Sequence, residues 1–192
     1  MVDLFEREYS DPWHHFEFGN ILPNSILDRL KRVPSRLFRI YHTPADERIG
    51  NYDEKNLRYF VINTGFSDLI SIFTDNQLSK KMQDVYNRDL KYVRFTLMEV
   101  FGQRKPFLHC DDPEKLVTVQ IFLTNKNKKH FGTWYYKDRT LAKKLPYNDN
   151  CGHMFAPIQN VTWHSIPEIK EDNICRRSLL VNYVNTPTEW HL

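Results

Sequence analysis

Tyr92-Val93-Arg94-Phe95-Thr96-Leu97-Met98-Glu99-Val100-Phe101 is the stretch at which the chain changes character. Up to Asp89 the apolar residues recur at helical spacing; here they alternate, with Val93, Phe95 and Leu97 separated by Arg94 and Thr96. A period of two puts successive side chains on opposite faces of a strand. Short strand-like runs follow at residues 107–111, 117–123, 132–136, 152–155 and 178–184, each bounded by turn residues. Several short strands after a helical N-terminal part predict an α+β, mainly β, domain. A sandwich or barrel would carry the helices packed outside.

Working back from Tyr92, Asp75 and Ser67 are placed to cap two helical pieces. In the second piece Leu78, Met82, Val85 and Tyr86 form an apolar stripe, read as core packing. Residues 59–63 and 37–41 read as strands, and 43–56, polar and holding Pro44 and Gly50, as a long loop on the substrate side. Leu22, Ile26, Leu27, Leu30 and Val33 predict a helix with Pro23 in its first turn and Pro34 closing it. Residues 13–18 (WHHFEF) predict a first strand that carries a His15-x-Glu17 pair. Lys126-Asn127-Lys128-Lys129 reads as the solvated tip of a hairpin.

At 192 residues, 41% of them hydrophobic and 14% aromatic, the chain suits one globular domain rather than a disordered segment. A net charge of +3 does not ask for a nucleic-acid partner. Three cysteines (Cys110, Cys151, Cys175), an odd number without a C-x-x-C pair, predict reduced thiols and a cytoplasmic location. The start of the chain is acidic without an apolar run, and no stretch has the length of a bilayer-crossing helix, so neither secretion nor a membrane is expected. The sequence carries no signal of oligomeric state.

Chemistry concentrates after residue 107. On a strand, His109 and Asp111 of His109-Cys110-Asp111 point the same way, and Cys110 points the other. They can share a metal ion if another strand supplies the third ligand. Three imidazoles compete for that place. His130 sits in the basic tip, and His153 lies in an apolar run suited to a core or supporting imidazole. His164, just after Trp163, is favoured. Two imidazoles and one carboxylate, leaving positions open, suit non-haem Fe(II) and oxygen chemistry. Twelve residues on, Arg176-Arg177-Ser178 places a guanidinium and a hydroxyl on one strand face, a bidentate grip for a carboxylate. Trp134, Tyr135 and Tyr136 fit a pocket wall or core packing equally well.

His109-Cys110-Asp111, the strand 117–123, Gly132-Thr133-Trp134, the run from Asn150 to Pro157, Trp163-His164 and Arg176-Arg177-Ser178 occur in an order and spacing that resemble the 2-oxoglutarate/Fe(II)-dependent oxygenases. The likeness is greatest to small prolyl-4-hydroxylase-like members of phages and bacteria, and it spans about residues 95–185. It implies a double-stranded β-helix (jelly-roll, cupin-like) core over 92–192, supported by a helix-rich 1–91, in a single oxygenase domain 1–192. His109, Asp111 and His164 would hold Fe(II), and Arg176 and Ser178 would hold the distal carboxylate of the cosubstrate 2-oxoglutarate. Thr118, Gln120 and Phe122 would face that cosubstrate. Two departures stand out: Phe122 replaces a tyrosine whose hydroxyl often reaches 2-oxoglutarate, so Gln120 or another donor must compensate, and Phe131-Gly132 replaces a Gly-Gly pair. The implied activity is an O2-consuming dioxygenase that hydroxylates a C–H bond of a small molecule or peptide, first a prolyl residue or amino acid. The nucleic-acid demethylating branch fits less well, since Asn182 stands where its second arginine belongs. A non-catalytic cupin-like metal or ligand-binding module is the competing reading, and a structural domain with a vestigial motif is a third.

Overall fold

The computed structural model describes residues 2–38, 57–101, 107–129, 131–170 and 175–192. The loop expected at 43–56, most of the strand expected at 37–41, and His130 lie outside these residues.

Strand β10 (Arg176–Val184) is the centre of the molecule, paired antiparallel with β4 (Tyr92–Val100) on one side and β5 (Lys115–Leu123) on the other. The sheet continues through β8 (Gly152–Phe155), β2 (His15–Phe18) and β1 (Arg7–Tyr9) beyond β5. Beyond β10, β4 also pairs with β11 (Trp190–His191) and β3 (Leu57–Val61). A second sheet has the order β7 (Thr140–Lys144), β6 (Trp134–Lys137), β9 (His164–Ser165). The result is mainly β and antiparallel, a double-stranded β-helix with helices outside it.

Register sorts the residues. Val119 lies opposite Val181 and Ile121 opposite Leu179, which in turn faces Leu97. These side chains pack in one core with Ile26, Leu27 and Leu30 of α1 (Asn24–Arg32), Leu69 and Phe73 of α2 (Ser67–Phe73), and Leu78 and Met82 of α3 (Asn76–Tyr86). The alternate residues, Thr118, Gln120 and Phe122 with Asn182, Ser178 and Arg176, share the opposite face. His153, opposite Gln120, joins them there. Both faces are buried, which explains the near-continuous apolar run at 117–123. The polar residues within that run sit where they can bond one another.

Close approach of two strands demands Gly152. A Cβ there would fall 1.9 Å from the Gln120 carbonyl oxygen and 2.8 Å from Phe18 Cε2. Gly152→Ala is therefore expected to destabilise by about 3 kcal/mol or more. In a chain of this size that lowers the melting temperature by roughly 6–12 °C, readable by a circular-dichroism melt.

Several local expectations are corrected. Asp75 does cap α3, accepting from the Gln77 and Leu78 amides at 3.0 and 2.9 Å. Ser67 caps nothing: it is the first residue of α2, and Asn63 instead accepts from the Gly65 amide of the 3-10 turn Thr64–Phe66. Val85 is exposed, because α3 packs along Leu78, Met82 and Tyr86 and turns Val85 outward. Residues 107–111 form one bridge, His109 with His164, rather than a strand. Lys126–Lys129 is not a hairpin tip: β5 pairs with β8 and β10 while β6 belongs to the other sheet, so this segment crosses between sheets, with Lys128 bridged to Tyr147. Residues 35–37 form a 3-10 turn where a strand was expected to begin.

Candidate metal centre

The backbones of His109 and His164 bond reciprocally, at 3.0 Å from the His109 amide to the His164 carbonyl and 2.9 Å in the other direction. That bridge places the two rings side by side, 4.3 Å between centroids. Asp111 joins from two residues on. One ligand atom from each of His109, Asp111 and His164 lies within 4.8 Å of the others, the one such cluster among the described residues. Each Nδ1 faces a backbone carbonyl two residues earlier, Phe107 for His109 at 3.2 Å and Thr162 for His164 at 2.9 Å. With Nδ1–H donating, the Nε2 lone pair of each ring is left for a metal.

Charge states agree. Burial, and then the neighbouring His164, push His109 down to about 3; burial also lowers His164. Burial by itself would raise Asp111, but the Lys115 ammonium and the two imidazoles outweigh it and hold the carboxyl well below the usual range. At neutral pH the set is two neutral imidazoles and one carboxylate, a fit to a divalent metal of Fe(II) type. Lys115 Nζ lies 2.6 Å from Asp111 Oδ1, and Thr118 donates to Oδ2 at 2.8 Å. Because the single Thr118 proton goes to the carboxylate, the Asn182 amide 3.1 Å from Thr118 Oγ1 must present its NH2 there. Thr118→Val should therefore loosen Asp111 and cost about tenfold in metal affinity, measured by competition titration with Fe(II).

The same sheet face carries a second polar group. Arg176 is fully buried, with its guanidinium 5.2 Å from the Phe122 ring centroid and 5.6 Å from that of Tyr147. Its Nε donates to the Phe131 carbonyl at 3.1 Å, and one terminal nitrogen lies 3.4 Å from Thr133 Oγ1. Gln120 Nε2 donates to Ser178 Oγ at 3.0 Å. So the predicted site residues fall into two adjoining groups: His109, Asp111, His164 and Thr118 in one, Arg176, Ser178 and Gln120 in the other. Within the first group Thr118 donates to the Asp111 carboxylate.

Of the competing ligands, His153 is buried and bonded to Tyr135 and Gln120. His15 and Glu17 do share a face, but the Lys143 ammonium forms an ion pair with Glu17 and bonds His15 Nε2 at 3.2 Å. A cation already occupies that pair. Burial pushes the Glu17 carboxyl up, and the bonds from His15 and Lys143 bring it below the ordinary value. Tyr147, beside Arg176, turns its hydroxyl away from the guanidinium: its one proton lies between the Leu123 and Arg177 carbonyls, at 2.9 and 2.8 Å, and its oxygen accepts the Arg177 amide at 2.8 Å. Lys115, Asn182 and Thr133 were not anticipated. Lys115 alone carried a signal, as a cation four residues after an acid. No helix among the described residues is long and apolar enough to cross a membrane.

No family model matches the sequence, and no curated protein matches it. Solved structures do: the fold is the one found in prolyl hydroxylases and other 2-oxoglutarate/Fe(II) oxygenases. A prolyl-4-hydroxylase from Pseudomonas putida superposes with a TM-score of 0.68 at 11% identity, over 89% of this chain and 92% of that one. A prolyl hydroxylase from Trichoplax adhaerens, solved with a peptide fragment of the hypoxia inducible factor oxygen degradation domain, gives 0.65 at 14% identity over 89% and 83%. HygX from Streptomyces hygroscopicus, with nickel, 2-oxoglutarate and hygromycin B bound, gives 0.59 at 12% identity over 92% and 85%.

Proposed function

We propose that residues 1–192 act as a single Fe(II)- and 2-oxoglutarate-dependent dioxygenase domain, working in the reducing cytoplasm. The observation that carries this is the convergence of His109, Asp111 and His164 within 4.8 Å, on a jelly roll whose adjoining polar group holds a buried arginine. Nε2 of each imidazole and the Asp111 carboxylate would hold Fe(II). Arg176 and Ser178 would grip the distal carboxylate of 2-oxoglutarate, with the Phe122 and Tyr147 rings keeping water from that end. Bound Fe(II) would supply O2 activation coupled to loss of CO2 from 2-oxoglutarate, leaving succinate and one oxygen atom for a substrate C–H bond.

The substrate is a small molecule or peptide, with a prolyl residue or free amino acid the first to be tried. The peptide carried by the Trichoplax enzyme and the prolyl-4-hydroxylase likeness support that order. A net charge of +3 gives no support to a nucleic-acid substrate. The test is formation of succinate by the purified chain with Fe(II), 2-oxoglutarate and O2, before and after adding proline-containing peptides. Succinate above a metal-free control, stimulated by a peptide, is expected. Tight metal binding without any succinate would leave the non-catalytic cupin-like module instead.

A further inference from the structure

From Ser178, in the polar group that holds Arg176, a buried chain of side chains apart from the metal ligands runs to the second sheet. Tyr135 OH lies 2.6 Å from His153 Nδ1; His153 Nε2 lies 2.8 Å from Gln120 Oε1; Gln120 Nε2 lies 3.0 Å from Ser178 Oγ. Tyr135, His153 and Ser178 are almost wholly buried, and Gln120 is buried. Donor counting sets the direction. Among the described residues the Tyr135 hydroxyl has no acceptor other than His153 Nδ1, so it donates there and the ring's one proton sits on Nε2. That N–H lies 2.8 Å from Gln120 Oε1 and 3.1 Å from Thr133 Oγ1; since Thr133 spends its own proton on the same Gln120 oxygen at 2.6 Å, the Gln120 carbonyl and not its NH2 faces this pair. The Gln120 NH2 must then face Ser178, whose oxygen accepts. Burial keeps the tyrosine protonated and the imidazole neutral, in agreement with this pattern. The Ser178 hydroxyl proton, at the end of the chain, has no acceptor among the described residues and is free to donate.

On the premise of the oxygenase reading above, we propose that His153, oriented by Tyr135, is a positioning residue that forces the Ser178 hydroxyl to act as a hydrogen-bond donor to the distal carboxylate of 2-oxoglutarate. Reversed, the chain would have Ser178 donating to Gln120 and turning only lone pairs toward the bound anion. The arrangement also accounts for the substitution at Phe122. With no tyrosine hydroxyl there, the second donor beside Arg176 is a serine whose proton is directed from the neighbouring sheet.

The test is anaerobic calorimetric titration of the Fe(II)-loaded chain with 2-oxoglutarate. Tyr135→Phe removes only the hydroxyl and keeps the ring, so folding is preserved; it should weaken 2-oxoglutarate binding at least about threefold, and His153→Leu about tenfold. His153→Gln can still present an N–H to Gln120 and should bind within about threefold of the parent. In a Ser178→Ala background neither Tyr135→Phe nor His153→Leu should cause a further loss, and Fe(II) affinity should stay constant throughout. A purely structural role would instead give additive losses and would move Fe(II) binding as well. Unchanged binding in Tyr135→Phe, or additivity with Ser178→Ala, overturns the positioning role and leaves the oxygenase reading standing. A parent chain that fails to bind 2-oxoglutarate overturns both.

Discussion

Asp111→Ala is expected to lower Fe(II)-dependent succinate formation by at least about 100-fold. Loss of a group that merely supports a ligand already costs 10- to 100-fold in metal affinity, and Asp111 is the one anionic member of the cluster. Without it the two imidazoles that remain are neutral, and Lys115, no longer paired, would leave an uncompensated positive charge beside the metal. Both effects act against a divalent cation. The fold should survive, because Lys115 reaches solvent and Thr118 still has Asn182 as a partner. A melting temperature within a few degrees of the parent, together with lost turnover, is the expected pair of results. Full activity in Asp111→Ala would show that the metal assignment is wrong.

Arg176→Met should act on the cosubstrate alone. The apolar side chain keeps the packing between Phe122 and Tyr147 and removes the charge that would meet the distal carboxylate. A hydrogen bond between charged partners contributes roughly 1.5–3 kcal/mol, so the 2-oxoglutarate concentration for half-maximal turnover should rise about 10- to 100-fold. The rate at saturation and the Fe(II) requirement should change little. Arg176→Lys should not restore the parent value, because a point charge lacks the planar fork. Steady-state kinetics over a wide range of 2-oxoglutarate concentrations reads this directly. A fall in the saturated rate with no change in concentration dependence would remove Arg176 from the cosubstrate site.

Arg176 and Ser178 are legible together because a period of two needs no knowledge of the partner strand, whereas His109 and Asp111 converge although residues 107–111 form one bridge and no strand. His164 was different: spacing left it competing with His130 and His153, and the backbone bridge to His109 is what brings it beside the pair. Local patterns failed where the packing partner decides. Val85 fits the apolar stripe of α3 yet faces solvent. The strand Thr140–Lys144 is largely exposed and carries no alternation to be read. The chain from Tyr135 to Ser178 joins residues from β6, β8, β5 and β10, so nothing in the order of the sequence marks it. Lys115 on Asp111, by contrast, is close in sequence, four residues on.

The proposed activity depends on one ferrous ion and one molecule of 2-oxoglutarate meeting at His109, Asp111 and His164. Anaerobic addition of 2-oxoglutarate to the Fe(II)-loaded chain, followed by visible absorption, tests that meeting without any substrate. A weak charge-transfer band that saturates at one equivalent, and is absent in Asp111→Ala, is the expected result. No band in the parent chain, or the same band in Asp111→Ala, would contradict it.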